Sequence, residues 1–347
     1  MKQSNNHLAR RHKIHFNAFD VSVFIILSLY SIGLLLLIAW ALFSSFKTAD
    51  SYLRNPTVFL GKNAFTFDNY LYVFTKMRVR VSRGGSPHYV YFEQMLLYSL
   101  LYAGGCALIQ TAVTATVAYL TSKYPCLLSK IVHYSVIVTM VLPIVGNMSS
   151  MIQILRALHI YDTMIGMYIM KFGYANIYYL IFYAAFSRIP KDYTEYALVE
   201  GASHFRIFTR VMMPIVMPLF GTVALLFFIS YWNDYQVPYV YLPGSPTAAL
   251  GLYAILNVNT EINEAPFKIA AGVVLFIPLL IVFLILRNKI MSNMDEGGIR
   301  GQIGSSHKEK GHGFHPRDLF DWLYFKRNLA ILAPMLVPYS KGVMTKL

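Results

Sequence analysis

Long apolar runs without a charged residue limit this chain to one broad class of structure. A membrane-spanning helix needs about 20 mostly apolar residues, and five uncharged runs approach or exceed that length: Val21–Phe46, Gln94–Ser122, Ile131–Leu155, Val211–Asn233 and Ile269–Leu286. Only 13% of the 347 residues are charged, whereas soluble domains average about 25%. The sequence therefore predicts an all-α membrane protein.

A sixth segment, Thr163–Ser187, is apolar apart from Lys171. Its uncharged part is short for a membrane span, but it suffices if the long Lys171 side chain reaches the membrane interface. We therefore expect six transmembrane helices. The first of them exceeds the apolar region of a signal peptide in length, and no small-residue cleavage pattern follows it, so we expect it to be retained.

Basic residues beside the apolar runs predict the orientation in the membrane. Arg10, Arg11 and Lys13 precede the first run, and basic flanks stay on the cytoplasmic side. With six spans, both termini are then cytoplasmic. The formal net charge of +14 comes from residues in the gaps between apolar runs. It is therefore explained by topology and contact with membrane lipids, not by the basic face of a nucleic-acid-binding domain.

Composition divides the chain into three parts. We predict a cytoplasmic N-terminal segment at residues 1–20, a transmembrane domain at 21–301 with an external loop at 47–93, and a cytoplasmic C-terminal extension at 302–347. The extension mixes basic and aromatic residues, and its apolar stretch is too short to span a membrane. A disordered tail and a segment lying on the membrane surface both fit this composition.

No motif for covalent chemistry occurs in the chain. Phosphate-binding GxxxxGK[ST], zinc-binding HExxH and nucleophilic GxSxG patterns are all absent from the sequence, and the two cysteines, Cys106 and Cys126, form no disulfide or zinc pattern. We therefore expect no enzyme activity, no catalytic residue and no metal site.

The predicted spans also lack a central acidic residue of the kind that proton-driven transporters use. Either a partner supplies the energy for transport or the protein is a passive channel.

The polar segment at residues 188–214 contains several helix-terminating signals at regular intervals. Pro190 suits the first turn of a helix, Gly201 suits a left-handed helix end, and Ser203 suits the cap of a following helix. That second helix carries Phe205, Phe208, Val211 and Met212 at helical spacing. The result is two short helices at a bend, which on geometry alone serve equally well as a grip for a soluble partner or as an interfacial hairpin.

The same segment resembles a known motif. The pattern Glu195-x-Ala197-x-x-x-Gly201, nine residues, then Val211-x-Met213-Pro214 resembles the EAA loop of ABC-superfamily importer permeases. Three residues, Tyr196, Val211 and Met213, depart from the usual Ala, Ile and Leu, but the spacing is unbroken. Further stretches are similar to the maltose-type (MalG-like) carbohydrate permeases and bring the resemblance to roughly residues 15–301: Tyr231–Tyr235, Thr247–Tyr253 and Gly297–Gly301.

The resemblance implies a multi-pass subunit of a bacterial cell membrane importer for a sugar or oligosaccharide. In that family the permease pairs with a second, homologous permease, an ATPase dimer binds ATP and Mg, and an extracellular or periplasmic sugar-binding protein delivers the cargo. This chain itself then holds no cofactor. Carried over by position, the short coupling helices between spans four and five would contact the ATPase through Glu195, Ala197, Gly201, Ala202 and Pro214.

Three further residues are candidates for the substrate path. Trp232 can stack on a sugar ring, while Asn147 and Asn233 can bond sugar hydroxyls. Interhelical hydrogen bonding and interfacial anchoring are the simpler explanations of the same residue types. Two alternatives to sugar import stay open at this point: an importer permease for a non-sugar solute, and a passive channel or membrane assembly protein.

Overall fold

A computed structural model describes residues 18–57, 65–83, 86–142, 146–257 and 264–303, and these are mostly helical. The helices are α1 (Ala18–Ser45), α2 (Ala49–Arg54), α3 (Asp68–Lys76), α4 (Phe92–Lys123), α5 (Leu127–Val141), α6 (Met148–Ala157), α7 (Met164–Met170), α8 (Ile177–Arg188), α9 (Asp192–Val199), α10 (His204–Ile207), a π-helix (Phe208–Met212), α11 (Met213–Trp232), α12 (Gln236–Tyr241), α13 (Ala248–Asn257) and α14 (Ala265–Ile303).

Among the residues that the structure describes, four stretches are helical, long and apolar enough to cross a membrane: Val21–Ser45, Phe92–Lys123, His204–Trp232 and Ala265–Ile285. They coincide with the predicted first, second, fifth and sixth spans. The fifth begins earlier than predicted, because α10, the π-helix and α11 follow one another without a gap. The membrane-embedded character of the chain thus follows from helices that the sequence pattern located.

The predicted third and fourth spans are each divided in the described residues. Helices α5 and α6 replace the third, and α7 and α8 replace the fourth. With its 15 residues, α5 rises about 22 Å, short of the roughly 30 Å hydrocarbon layer. The break between α7 and α8 has a local cause. The Asn176 side chain caps the N-terminus of α8 by accepting hydrogen bonds from the backbone amides of Tyr178 and Tyr179.

The loop predicted to be external, residues 47–93, contains a feature that no sequence pattern had indicated, a two-stranded antiparallel hairpin. Strands β1 (Arg78–Arg83) and β2 (Ser86–Tyr91) pair in register, with Val79 opposite Val90. Val81 and Val90 are buried against α3, α4 and α14 residues of the same hydrophobic cluster. Alternating valines in β1 therefore attach the hairpin to the helices.

Helix α4 is the centre of the packing, with α8 and α11 lying along it. Buried aromatic side chains fill the space between these helices, including Tyr119, Tyr179, Phe182 and Phe186. Helix α7 also approaches α4 closely, since Gly105 has no side chain and a Cβ there would overlap the ring of Tyr168. The Tyr168 hydroxyl donates to the Leu101 carbonyl at 3.0 Å, which fixes this contact.

Helix α1 differs from the others because its apolar surface is almost entirely exposed within the chain. A surface of this kind needs lipid or a neighbouring helix to cover it.

By its internal contacts the chain divides into two units, Met1–Asn293 and Met294–Leu347. Residues 1–17 and the predicted C-terminal extension beyond Ile303 lie outside the described residues, as do 58–64 of the external loop.

Candidate functional site

The segment at residues 188–214 forms a short helix followed by a longer one. Helix α9 begins at Asp192 after its N-cap Lys191, so Pro190 lies just before the helix and not in its first turn. The helix ends at Val199 and has no buried residue. Two of its residues, Thr194 and Ala197, are partly buried, so one side of the helix packs loosely against the protein while the rest is exposed.

The backbone hydrogen bonds at the end of α9 explain the spacing of Ala197, Gly201 and Ala202, three of the predicted coupling residues. Gly201 has φ +78°, the left-handed conformation that the sequence predicted. Its amide donates to the Leu198 carbonyl at 2.9 Å, and the Ala202 amide donates to the Ala197 carbonyl, also at 2.9 Å. This pair of bonds is a Schellman motif, which places glycine after the helix end and small apolar residues at the two positions that meet across it.

The chain then enters a single helix that continues into the apolar core. The Ser203 side chain caps α10 by accepting from the Arg206 amide at 3.4 Å, as the sequence predicted. The Met213 amide donates to the Phe208 carbonyl, five residues back. This wider turn accommodates Pro214, whose ring crowds the preceding turn of a regular α-helix. The predicted separate second helix is therefore continuous with the fifth apolar span.

The root of this segment is fixed to the end of α4. The Lys123 ammonium donates to the Ile189 carbonyl at 2.7 Å, and the Tyr124 hydroxyl lies 3.0 Å from Nδ1 of His204. The rings of Tyr119 and Phe208 lie 4.7 Å apart between their centroids. These contacts hold the base of α9 and α10 in place, so the segment projects from a rigid support.

The tip of the segment presents large apolar side chains to the surroundings. Tyr196 is 74% exposed, Val199 88% and Phe205 76%, and Glu195 beside them is exposed as well. We call these four residues the α9 face. Exposed apolar groups that cluster beside charged residues are typical of a surface that binds another protein.

The three candidate substrate-path residues occupy different surroundings. Trp232 is 4% exposed and donates from Nε1 to the Leu275 carbonyl at 3.1 Å, which joins α11 to α14. Asn233 is exposed and bonds the Ile229 carbonyl at 2.8 Å, beside a cavity of about 370 Å3 that is also lined by Tyr235 and Tyr253. Asn147 is exposed at the start of α6 and makes no cap hydrogen bond. The structure brings only Trp232 and Asn233 together.

A polar cluster that the sequence did not single out lies between α4, α7 and α11. The Lys171 ammonium lies 4.2 Å from the Tyr231 ring centroid. The Tyr231 hydroxyl donates to Gln110 Oε1. Nearby, the Tyr102 hydroxyl donates to the Asp234 carboxylate at 2.9 Å. The one signal in the sequence was a lone lysine within an apolar segment, which commonly marks a functional site.

Comparison with known proteins gives a consistent assignment. Residues 111–295 match the family described as "Binding-protein-dependent transport system inner membrane component". The arabinooligosaccharides transport system permease protein AraQ of Bacillus subtilis is 24% identical over 84% of this chain and 99% of its own length. The trehalose/maltose transport system permease protein MalG of Thermococcus litoralis is 25% identical over 76% of this chain and 90% of its own length.

The fold has a counterpart among solved structures. A chain from the crystal structure of a bacterial ABC transporter involved in the import of the acidic polysaccharide alginate superposes with a TM-score of 0.64. The match covers 78% of this chain and 95% of that one at 20% sequence identity. This likeness establishes the common fold.

Proposed function

The chain belongs to the family of binding-protein-dependent transport system inner membrane components, and from that membership we propose that it is a permease subunit of an ATP-driven importer for a sugar or an oligosaccharide. The observation that supports an ATP-driven mechanism is the α9 face, an exposed apolar surface whose base is bonded to the end of α4. A passive channel has no need for such a surface. As a permease, the chain is a transport protein of the bacterial membrane and not an enzyme.

The proposed partner at the α9 face is an ATPase subunit, which binds ATP and Mg. Val199, Tyr196 and Phe205 enter an apolar cleft of that subunit, while Glu195 meets a basic group at its rim. Ala197 and Ala202 are small residues that pack against the core on either side of the Schellman turn. Gly201 and Pro214 shape the two ends of the helix–turn–helix, so four of the five predicted coupling residues act through its geometry and Glu195 acts through its charge.

Coupling follows from the continuity of α10, the π-helix and α11. A soluble partner that changes shape on binding ATP moves α9, and the continuous helix transfers that movement into the membrane. Such a partner drives transport only if it binds two conformations of the permease with different affinity. The fixed contacts of Lys123 and Tyr124 make α4 part of the moving body.

The membrane arrangement proposed here keeps six crossings with both termini in the cytoplasm. The third and fourth crossings consist of two short helices each, α5 with α6 and α7 with α8. Discontinuous helices of this kind line binding sites in many transporters, because non-helical backbone within a membrane needs protein or water around it. A second, homologous permease completes the pathway and covers the exposed apolar surface of α1.

Sugar is the proposed cargo because the relatives carry names of sugar permeases. Besides AraQ and MalG, the diacetylchitobiose uptake system permease protein NgcG of Streptomyces coelicolor is 24% identical over 79% of this chain and 87% of its own length. These three proteins handle different sugars by name, so they support the class of cargo and not one compound. An extracellular or periplasmic binding protein delivers it.

A pull-down of the full chain from native membranes in mild detergent, followed by mass spectrometry, tests the proposal. We expect a second permease, an ATPase subunit and a sugar-binding protein to accompany the chain. Recovery of the chain alone, stable and without an ATPase at any ionic strength, would contradict the proposal and favour the channel alternative.

A further inference from the structure

Lys171 is a basic residue that packs against helix α11 from within an otherwise apolar segment of the chain. It follows the last residue of α7, is half-buried, and lies over the ring of Tyr231 in α11 at 4.2 Å from the ring centroid. A charged side chain inside a membrane is costly, so it occurs where it pairs with an opposite charge or serves the transported substrate.

Within the described part of the chain, no carboxylate forms an ion pair with Lys171 and no acceptor forms a hydrogen bond with its ammonium. Asp234 and Cys106 act on it electrostatically, but neither forms an ion pair or a hydrogen bond with the ammonium. Asp234 accepts from the Tyr102 hydroxyl at 2.9 Å and from the Val237 amide at 3.1 Å, and Cys106 is fully buried. The three N–H donors of the ammonium are therefore available to an acceptor from outside.

The groups around Lys171 have the chemistry of a site for a polyhydroxylated ligand. Gln110 accepts from the Tyr231 hydroxyl and donates from Nε2 to the Gly173 carbonyl at 3.2 Å. Gly173 lies in the non-helical link between α7 and α8 and is exposed. Backbone without helical hydrogen bonds at membrane depth is tolerated where it lines a water-filled cavity. The cluster thus combines a cation, an amide, a phenol and accessible backbone at the surface of α4.

We propose that Lys171, with Gln110 and Tyr231, forms a membrane-embedded binding site for a sugar that bears a carboxylate, such as a uronic acid residue of an oligosaccharide. This inference rests on the proposed function and names the class of cargo. The ammonium binds the carboxylate through a charge-assisted hydrogen bond, which is stronger than a bond to a neutral hydroxyl and less screened than at a protein surface. Gln110 and the Gly173 backbone bond the sugar hydroxyls.

One other source of a carboxylate is an acidic residue of the second permease. An ion pair between subunits would neutralise Lys171 permanently and would make the lysine necessary for assembly. Gln110 and the Gly173 carbonyl bond each other but keep further hydrogen-bonding capacity, which a sugar with several hydroxyls can use and a partner's single carboxylate cannot. Assembly of the complex is therefore measured alongside ligand binding.

The test measures equilibrium binding to the complete importer complex in lipid nanodiscs, without the binding protein, so that only the membrane site contributes. The two probes are trigalacturonate and its fully methyl-esterified form, which differ in charge and little in shape. The variants are Lys171→Met, which removes the charge, and Lys171→Arg, which keeps it. Lys130→Met is the matched control, since Lys130 is exposed on α5.

We expect wild-type complex to bind the acid about tenfold or more tightly than the ester, as charge-assisted bonds predict. Lys171→Met loses this preference, whereas Lys171→Arg and Lys130→Met keep it. Equal binding of both probes by wild type, binding of neither, or an unchanged preference in Lys171→Met would overturn the inference.

Two further results separate this inference from the proposed function. If Lys171→Met no longer assembles with the second permease while Lys130→Met does, the partner carboxylate is the correct explanation and the sugar site is wrong. If wild type takes up neutral sugars with ATP but does not prefer the acid, sugar import stands and only the acidic cargo is refuted. Failure of wild type to transport any sugar refutes the proposed function itself.

Discussion

Gly201 illustrates how a single residue fixes the shape of the segment that we propose binds the ATPase. Its φ of +78° is readily accessible to glycine, and no atom lies within 4 Å of where a Cβ would be. The requirement at this position is therefore conformational and not steric. A left-handed conformation costs other residues about 1–2 kcal/mol, with asparagine the best tolerated and β-branched residues the worst.

We predict that Gly201→Val uncouples ATP hydrolysis from transport while Gly201→Asn largely preserves coupling. Valine disfavours the left-handed turn by about 1–2 kcal/mol and shifts α9 relative to α10. The measurement is sugar uptake per ATP hydrolysed in proteoliposomes at equal abundance of each variant. Normal coupling in Gly201→Val would show that the turn does not transmit the movement.

Lys171, in contrast to Gly201, makes a contact that could not be predicted from the sequence. The Schellman turn at Gly201 was predictable because it depends on bonds between residues a few positions apart. The direction of the Lys171 side chain depends on Tyr231, 60 residues later in the chain. No local pattern distinguishes a lysine that reaches the interface from one that turns into the bundle, so the polar cluster became visible only in the structure.

At the scale of elements, the length of the uncharged apolar runs located the long helices, but it did not reveal where the third and fourth predicted spans are divided. The helices α1, α4, α11 and α14 each coincide with one of the uncharged runs. Such runs are recognised from amino-acid composition alone. The division between α7 and α8 was not predicted, because its signal is a single capping residue, Asn176, within an apolar segment. The hairpin of β1 and β2 was missed for a similar reason, as its six-residue strands lie in a loop of mixed polarity.

The α9 face gives the prediction that belongs to the element scale. Val199→Asp places a carboxylate on the most exposed apolar residue of the face, 88% exposed, and would weaken binding of the ATPase subunit at least about tenfold if this residue is buried at the interface. The affinity of the purified ATPase for the permease pair is the measurement. Leu53→Asp is the control, because Leu53 is 79% exposed on α2, in the loop that is predicted to be external.

An unchanged affinity in Val199→Asp would place the ATPase elsewhere on the permease. A loss of affinity in both variants would indicate general damage to the protein. Only a loss confined to Val199→Asp supports the α9 face as the docking surface.

At the scale of the whole molecule, the two segments predicted to be cytoplasmic are in contact. The link between α4 and α5 contains Tyr124, and the link between α8 and α11 contains His204, and their side chains lie 3.0 Å apart. Positive-inside counting had placed both links on the cytoplasmic side. Their contact therefore agrees with a predicted topology in which two crossings separate them.

Cys126 offers a direct test of that topology. It is exposed, and hydrogen bonds from Ser129 lower the pKa of its thiol, so the reactive thiolate persists to lower pH. We expect a membrane-impermeant maleimide to label Cys126 in inside-out vesicles and not in right-side-out ones, while buried Cys106 stays unlabelled. Ser129→Ala should shift the pH profile of labelling upward, and labelling from the outside would reverse the orientation.

The central claim is that this permease moves sugar with energy from a partner's ATP. The most direct measurement is sugar uptake into proteoliposomes that contain the complete complex, with and without ATP and the binding protein. The account predicts accumulation of sugar above its external concentration only when both are present, and no accumulation with a non-hydrolysable ATP analogue. Sugar that equilibrates across the membrane at the same rate without ATP would contradict the account.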